Sequence, residues 1–253
     1  MGQDAETRGR PRRRVTFFGV LGELLISVGA LALLFVAWQL WIGDWIIGAQ
    51  NDAAGQTQSQ QWEQQFASGD SSPTPSPSPS SSATPVAPPA IAQPSDAQVF
   101  GVMHIPRFGS DYAVKIAGGV TRAHTLDPIG IGHYPGTPMP GAIGNVALAA
   151  HRTTFGKPFN RIADLRIGDA IVIETKAGWY TYRFRTLEYV KPDAVDVLLP
   201  VPQEDGVSAD GRYLTMTSCS PMYSKAERIV AYSAFESFTP RSAGAPASLA
   251  AVS

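Results

Sequence analysis

The sequence predicts an all-β domain, of the barrel or sandwich type, that follows one transmembrane helix. The domain is predicted from short runs of β-branched and aromatic residues, which Gly and Pro interrupt at the spacing typical of all-β folds. The helix is predicted from a long, uncharged apolar segment near the amino terminus. The chain's 253 residues suffice for one domain of ordinary size with accessory segments.

The first predicted element is the membrane segment. Residues 1–14 contain five arginines against two acidic residues, and residues 24–43 carry no charge over the roughly 20 apolar residues that a helix needs to cross a bilayer. Because arginine-rich flanks stay in the cytoplasm, we expect a cytoplasmic basic arm (1–14), a transmembrane signal anchor (15–47) and an extracellular remainder. A cleaved signal peptide is the alternative, but its apolar region spans only about 7 to 15 residues.

A stalk and linker are predicted next, over residues 48–95. Residues 50–70 are rich in Gln and poor in aliphatic side chains, so a short juxtamembrane helix or no helix is expected, and a stalk in either case. Residues 71–94 ("SSPTPSPSPSSSATPVAPPAIAQP") lack the apolar side chains for a core and favour an extended polyproline conformation. The folded domain is therefore expected over residues 96–238, with a flexible tail (239–253) after it.

Within the domain the pattern predicts strands with only short helical pieces between them. The predicted strands are 99–105, 112–116, 145–150, 170–175, 179–190, 213–219 and 228–236, and the helical pieces are 121–126, 159–165 and 193–199. Without the basic arm, 15 basic and 19 acidic residues remain, a net charge of −4 with no clustered basic stripe, so this part gives no footprint for nucleic acid.

The single cysteine, Cys219, is the first candidate functional residue. Structural cysteines outside the cell come in pairs, so a lone thiol indicates an intermolecular bridge, a reactive group or a small buried side chain. Cys219 ends a predicted strand, in which alternation places Leu214 and Met216 on one face and Thr217 and Cys219 on the other. The thiol thus lies among small hydroxylated residues at a strand end.

A nucleophilic thiol needs a basic neighbour, because a free thiol is mostly protonated at neutral pH. His151 is the best placed of the four histidines, since it directly follows the apolar strand "GNVALAA" and opens a loop. His104, His124 and His133 lack the spacing of a zinc site and are interpreted as structural.

A cationic group is predicted from the strand that follows the cysteine. Arg228 begins that strand, so a hairpin would bring its guanidinium beside the thiol of Cys219. A fixed cation there stabilises the oxyanion of a tetrahedral intermediate. Its rivals for this role are Arg152, Arg161, Arg183 and Arg185.

These features together resemble the sortases, the cysteine transpeptidases of Gram-positive cell surfaces. The resemblance covers about residues 98–238, and its most specific pieces are "YLTMTSCSP", "GNVALAAHRTTFGKPFNRIADLRIGD" and "GHYPGTPMPGAIGN". The last two, with "VFGVMHIPRFGSDYAVKIAGG", are most similar to class E sortases of actinobacteria. Met216 and Ser218 depart from the family's T-L-x-T-C pattern, and Ala150 stands where Gly is frequent, which concerns substrate fine-tuning more than activity.

The resemblance implies a closed barrel of about eight strands and a two-step acyl transfer. Cys219 would be the nucleophile, His151 the general acid/base and Arg228 the oxyanion-stabilising residue. The implied substrate-binding residues are Thr217, Ser218 and Tyr134. The implied partners are secreted proteins with an LAxTG-type or LPxTG-type sorting signal, cleaved between Thr and Gly, and the amine of a cell-wall peptide precursor. No cofactor or metal is implied.

Two other kinds of function fit these motifs less well. An L,D-transpeptidase or a papain-like peptidase would show S-H-G-C or C-G-x-C-W around the thiol, and "TSCSP" matches neither. A membrane-anchored barrel that binds protein or glycan without catalysis fits the anchor and linker equally well, but leaves the combination of Cys219, His151 and Arg228 unexplained. No acidic loop of the EF-hand type indicates a calcium site.

Overall fold

The computed structural model describes residues 16–69 and 87–250. The chain divides into two compact units, residues 1–43 and residues 44–253. The expected basic arm, residues 70–86 of the expected linker and the last three residues of the expected tail lie outside the described residues.

In the first unit, α1 (Phe17–Ala37) is a candidate membrane span. Its 21 residues extend about 31 Å at roughly 1.5 Å per residue, close to the ~30 Å of a bilayer's hydrocarbon core. Its best 18-residue window has a mean hydropathy of 2.4, and none of its residues is buried. A π-helical segment (Trp38–Gly43) follows. The helix lies within the segment in which the sequence predicts an anchor.

The second unit begins with α2 (Asp44–Ala67), which packs on the barrel. Trp62 is 4% exposed and packs with Val102 and Ala113. A Cβ at Gly55 would overlap the carbonyl oxygen of Ala113, so the helix approaches this closely only through glycine. The structure therefore differs from the expected stalk, because docking depends on one Trp, one Gly and polar contacts, which together give the sequence no apolar stripe.

Eight strands close into a barrel, which confirms the predicted fold class. They are β1 (Val99–His104), β2 (Val114–Gly118), β3 (Ile131–His133), β4 (Gly144–Ala150), β5 (Ala170–Glu174), β6 (Gly178–Val190), β7 (Arg212–Ser220) and β8 (Glu227–Pro240). Their order around the barrel is β1-β2-β3-β4-β7-β8-β6-β5, and β5 pairs with β1 to close it. The pairs β2–β3 and β4–β7 are parallel, and the others are antiparallel.

The connections contain short helices. A π-helical turn spans Arg122–Leu126, and 3₁₀ turns span Ile162–Asp164, Asp196–Leu198, Arg241–Ala243 and Ala247–Leu249. The first three of these five fall within the helical pieces that the sequence predicts. Strand β3 is missing from the predicted set, since three residues are too few to show an alternating pattern.

Alternate residues of each strand fill the barrel interior. On β4 the core side chains are Val146, Leu148 and Ala150, and on β7 they are Leu214 and Met216. The alternation predicted for β7 therefore holds. The intervening residues of both strands point to the outer face of the barrel wall.

Both ends of the folded unit extend beyond the predicted domain of residues 96–238. Before it, the Tyr180 hydroxyl donates a hydrogen bond to the carbonyl oxygen of Pro89 (3.2 Å). After it, the Arg241 guanidinium is buried and pairs with the Glu174 carboxylate (2.8 Å), and Leu249 packs on the barrel. Residues 239–250 therefore differ from the expected flexible tail. The buried Arg241–Glu174 pair and the packing of Leu249 hold this segment, and such isolated contacts have no periodic signature in the sequence.

Candidate active site

Strand pairing brings the ends of β4, β7 and the start of β8 together. The parallel strands β4 and β7 are in a register that places Ala149 opposite Thr217. His151 and Cys219, each two residues further along the chain, therefore lie side by side at the same end of the two strands. In the antiparallel hairpin of β7 and β8, Cys219 lies directly opposite Arg228. The three predicted catalytic residues are therefore neighbours through backbone register.

These three side chains also share the outer face of the barrel wall. His151 follows Ala150 and Arg228 precedes Ile229, and the side chains of Ala150 and Ile229 lie in the core. Since side chains alternate along a strand, His151 and Arg228 point outward, as Cys219 does by the same count from Met216. The site is thus built on rigid strands at the surface.

A cavity of about 830 Å³ lies over this part of the wall. Its lining includes all six residues that the sequence analysis assigns to the site: His151, Cys219, Arg228, Tyr134, Thr217 and Ser218. Apolar side chains such as Val120 and Leu126 complete one side. The volume is within the range of about 300–1,000 Å³ typical of ligand sites.

The imidazole of His151 has two close neighbours. Its Nε2 lies 2.6 Å from Oδ1 of Asp127, and its ring centroid lies 5.2 Å from that of Phe155. The side chain of His151 is only 13% exposed. Among the described contacts no hydrogen bond joins its ring to the Cys219 thiol, and Nε2 is turned to the carboxylate.

Cys219 is partly buried and unbridged. Its carbonyl oxygen lies 3.4 Å from Nη1 of Arg152, an arginine that is 8% exposed. Within the described part of the chain, Nε of Arg152 has no hydrogen-bond partner and no carboxylate pairs with this guanidinium. Arg152, which the sequence suggests only as a rival of Arg228, therefore contacts the main chain of Cys219.

The guanidinium of Arg228 is held by its own hairpin. Nη1 donates hydrogen bonds to the carbonyl oxygens of Lys225 (3.2 Å) and Glu227 (2.9 Å). Two of the remaining rivals, Arg161 and Arg183, form ion pairs with Asp164 and Glu236, away from the cavity. Arg228 and Arg152 are therefore the two rivals for the oxyanion that line the cavity.

The three predicted substrate-binding residues differ in what their hydroxyls do. The hydroxyls of Tyr134 and Thr217 are hydrogen-bonded to each other at 3.0 Å beside the cavity. The hydroxyl of Ser218 donates to the carbonyl oxygen of Ala150 (2.8 Å) and so ties β7 to β4. Tyr134 and Thr217 thus form a hydrogen-bonded hydroxyl pair in the cavity lining, whereas the Ser218 hydroxyl links β7 to β4.

The remaining histidines lie outside the cavity lining. His104 pairs with Glu174, and His124 pairs with Asp96, each at 2.8 Å. His133 is buried, which lowers its pKa although the Pro138 carbonyl accepts a hydrogen bond from it. No group of three or more His, Cys, Asp and Glu residues in residues 16–69 and 87–250 is arranged to hold a metal ion.

Two residues that contact His151, Asp127 and Phe155, are not predicted from the sequence, and the burial of Arg152 behind Cys219 is not predicted either. Asp127 follows the turn Arg122–Leu126, and Phe155 lies in the loop after His151. The sequence suggests Arg152 only as a candidate for the oxyanion. Their contacts depend on how loops fold back on the strands, and no local pattern in the sequence encodes that.

Comparison with known proteins assigns the fold to a family. Residues 103–236 match the family model of the Sortase domain. Sortase SrtE1 of Streptomyces coelicolor is 34% identical over 246 residues, which are 95% of this chain and 63% of that protein. Sortase SrtE2 of the same organism is 29% identical over 91% of this chain and 88% of its own length. This chain thus spans somewhat less than two thirds of SrtE1.

Solved structures give the same family. Sortase E1 from Streptomyces coelicolor superimposes with a TM-score of 0.57 at 37% identity, over 61% of this chain and 98% of the other. The SrtA sortase from Actinomyces oris has a TM-score of 0.61 at 32% identity, over 64% of this chain and 93% of the other.

Proposed function

This chain belongs to the sortase family, and we propose that it is a membrane-anchored cysteine transpeptidase, which cleaves a carboxyl-terminal sorting signal between Thr and Gly and transfers the protein to a cell-wall amine. The observation that carries the proposal is that Cys219, His151 and Arg228 line one cavity at the ends of paired strands. The solved sortase E1 holds a tripeptide in its active site, which supports a peptide ligand for this cavity.

In the first half-reaction, the Cys219 thiol gives its proton to His151 and its Sγ attacks the carbonyl carbon of the signal's Thr. The new C–S bond gives a tetrahedral intermediate, whose oxyanion is stabilised by the nearby guanidinium of Arg228. His151 then gives a proton to the amide nitrogen of Gly as the C–N bond breaks. The products are a thioacyl enzyme and the released carboxyl-terminal tail.

In the second half-reaction, an amine takes the place of the departed tail. Its nitrogen attacks the thioester carbon, and His151 accepts the proton that this nitrogen loses. The C–S bond breaks and His151 returns this proton to the sulfur, so the thiol is regenerated and the protein is joined to the acceptor through a new amide bond. Side chains alone supply this chemistry, and no cofactor enters a step.

The signal is proposed to lie along the cavity beside the hydroxyl pair of Tyr134 and Thr217. Val120 and Leu126 offer an apolar contact for its first residues. We place the LAxTG type before the LPxTG type, because the chain resembles class E enzymes. The acceptor is proposed to be the amine of a cell-wall peptide precursor.

The anchor supports a location at the membrane surface. α1 is long and apolar enough to span a bilayer, and five arginines precede it in the sequence. The positive-inside rule then predicts a cytoplasmic amino terminus and an extracellular barrel. An enzyme tethered there meets membrane-bound substrates at a raised local concentration.

The experiment that tests this proposal uses the full chain in detergent micelles. It is incubated with LAxTG and LPxTG peptides and an amine acceptor, and the products are followed by mass spectrometry. We expect cleavage after Thr and transfer to the acceptor, with Cys219→Ala as the inactive control. A folded protein that binds the peptides without cleaving either would contradict the proposal and favour a binding function.

A further inference from the structure

Asp127 makes the shortest contact to the imidazole of His151. Its Oδ1 lies 2.6 Å from Nε2, and the side chains of the aspartate and the histidine are 24% and 13% exposed. The same oxygen lies 3.5 Å from Nε of Arg122, and the backbone N–H of Asp127 donates to the Arg122 carbonyl oxygen (2.9 Å). The turn Arg122–Leu126 therefore fixes the carboxylate in front of the ring.

An aromatic ring also lies beside the imidazole of His151. The Phe155 ring lies 5.2 Å from the imidazole at an angle of 31°. The guanidinium of Arg122 lies 5.7 Å from the centroid of that Phe155 ring. Asp127 and Phe155 thus contact the imidazole, and Arg122 contacts both of them.

The charges around His151 give this carboxylate a chemical role. The cavity lining contains four cationic side chains, those of Arg122, Arg152, Lys225 and Arg228, and no acidic one. When His151 takes up a proton, the resulting imidazolium faces these cations across the cavity. Its two compensating anions are the Cys219 thiolate, which is consumed when the thioester forms, and the Asp127 carboxylate, which persists through both half-reactions.

We propose that Asp127 is a positioning residue for His151. It accepts the hydrogen bond from Nε2–H, which leaves Nδ1 to exchange protons with Cys219, the departing Gly nitrogen and the incoming amine. A carboxylate in this position sets the imidazole tautomer and stabilises the imidazolium. The inference rests on the proposed transpeptidase function, because it assigns Asp127 a task in that reaction.

The test compares Asp127→Asn with a matched control in the full chain in detergent micelles. Asp127→Asn keeps the size of the side chain and removes the charge. Asp164→Asn is the control, because Asp164 forms an exposed ion pair with Arg161 (2.8 Å) outside the cavity lining. Asp127→Glu restores the carboxylate, and thermal unfolding of each variant confirms that it is folded.

We expect Asp127→Asn to lower kcat/KM for peptide cleavage on the order of 10- to 100-fold, a part of the ~10²–10⁴-fold that acid–base catalysis contributes. The pH of maximal activity should move down, since the protonated imidazole loses its anion. Asp127→Glu should recover part of the rate, and Asp164→Asn should leave the profile unchanged.

A second readout does not need the peptide reaction. The rate at which iodoacetamide alkylates Cys219 at neutral pH reports the thiolate, which forms more readily when His151 is protonated. We expect Asp127→Asn to slow it, and this holds even if neither peptide is a substrate. Kinetics of Asp127→Asn equal to those of Asp164→Asn would overturn the inference. So would slower cleavage with an unchanged pH profile and unchanged alkylation, which would mean a purely structural role.

Discussion

At the residue scale, the site depends on strand register. His151 and Cys219 each stand two residues beyond a paired position of β4 and β7, and Arg228 lies opposite Cys219. A slip of one residue in either pairing would turn one of these side chains into the core. The Ser218 hydroxyl, bonded to the Ala150 carbonyl oxygen, works against such a slip.

Arg228 is expected to act in the transition state rather than in binding. Arg228→Gln removes the cation beside Cys219, and we expect kcat to fall about 10²–10³-fold while KM changes little, since an oxyanion exists only after attack. Steady-state kinetics with the cleaved peptide measures both constants. Arg185→Gln, an exposed arginine outside the cavity lining, is the matched control. An equal loss in Arg152→Gln with full activity in Arg228→Gln would assign the role to the other arginine.

The sequence alone leads to Cys219, His151 and Arg228 because each stands at the end of a strand with a clear pattern. Asp127 lies 24 residues before His151 and contacts it only because the segment between β2 and β3 folds over the strand ends. Arg152 is adjacent to His151 in the sequence, yet its burial behind Cys219 follows from tertiary packing. Alternation identifies residues on strands, whereas loops bring their residues to the site without such a signal.

At the scale of elements, α2 belongs to the second compact unit and supports the loop after His151. The Asn51 side-chain amide donates to the carbonyl oxygen of Phe155 (3.4 Å), and Gly48 lies against Gly156. Phe155, Gly156 and Lys157 all have positive φ angles, of 53°, 76° and 45°. The left-handed conformation is costly for the two residues with side chains, so the contact with α2 helps to hold this loop and, through Phe155, the imidazole.

Gly55→Ala tests whether α2 is docked as the structure shows. Helix propensity alone favours Ala over Gly by about 1 kcal/mol. The change in packing lowers the free energy of unfolding, because a Cβ would overlap the Ala113 carbonyl oxygen. Such overpacking costs roughly 1–3 kcal/mol. We expect a lower Tm, measured on the full chain in micelles. Gln60→Ala, on the exposed side of α2, is the control, and a higher Tm for Gly55→Ala would show that the helix is not held this way.

The elements follow from the sequence to different degrees for physical reasons. The longer strands that line the core alternate strongly and are predicted within a few residues. α2 carries a single buried Trp, so its sequence resembles a solvated segment although Gly55 lets it approach the barrel closely. Residues 241–250 pack through Arg241 and Leu249. Two isolated contacts do not distinguish a packed tail from a free one.

At the scale of the whole molecule, one buried carboxylate connects four distant segments. Glu174 of β5 lies 2.8 Å from His104 Nε2 of β1, accepts a hydrogen bond from the Ser59 hydroxyl of α2 (2.7 Å), and pairs with Arg241 after β8 (2.8 Å). The side chains of Glu174 and Arg241 are 4% and 3% exposed. The barrel, the helix before it and the segment after it therefore share one electrostatic centre.

This centre makes stability depend on pH in a defined direction. Burial raises the pKa of Glu174, but hydrogen bonds from His104, Ser59 and Arg241 together outweigh it and hold that pKa below the ordinary value of 4.5. A carboxyl group whose pKa is lower in the folded chain than in the unfolded one stabilises the fold above the unfolded value. That contribution is lost as the pH falls through the folded value. The stabilisation is therefore full at neutral pH and declines below about pH 4.5.

Glu174→Gln should remove this contribution and its pH dependence together. At pH 7 the variant leaves the Arg241 guanidinium buried without its carboxylate, which costs about 3–5 kcal/mol when one partner of a buried pair is removed. Unfolding followed by circular dichroism from pH 7 to pH 3 should show a large difference from the unaltered chain at pH 7 that narrows below about pH 4.5, where Glu174 itself becomes protonated. Glu236→Gln, which breaks the more exposed pair with Arg183, should cost no more than about 1 kcal/mol. A difference for Glu174→Gln that stays constant down to pH 3 would mean that packing, and not the charge of this carboxylate, joins the four segments.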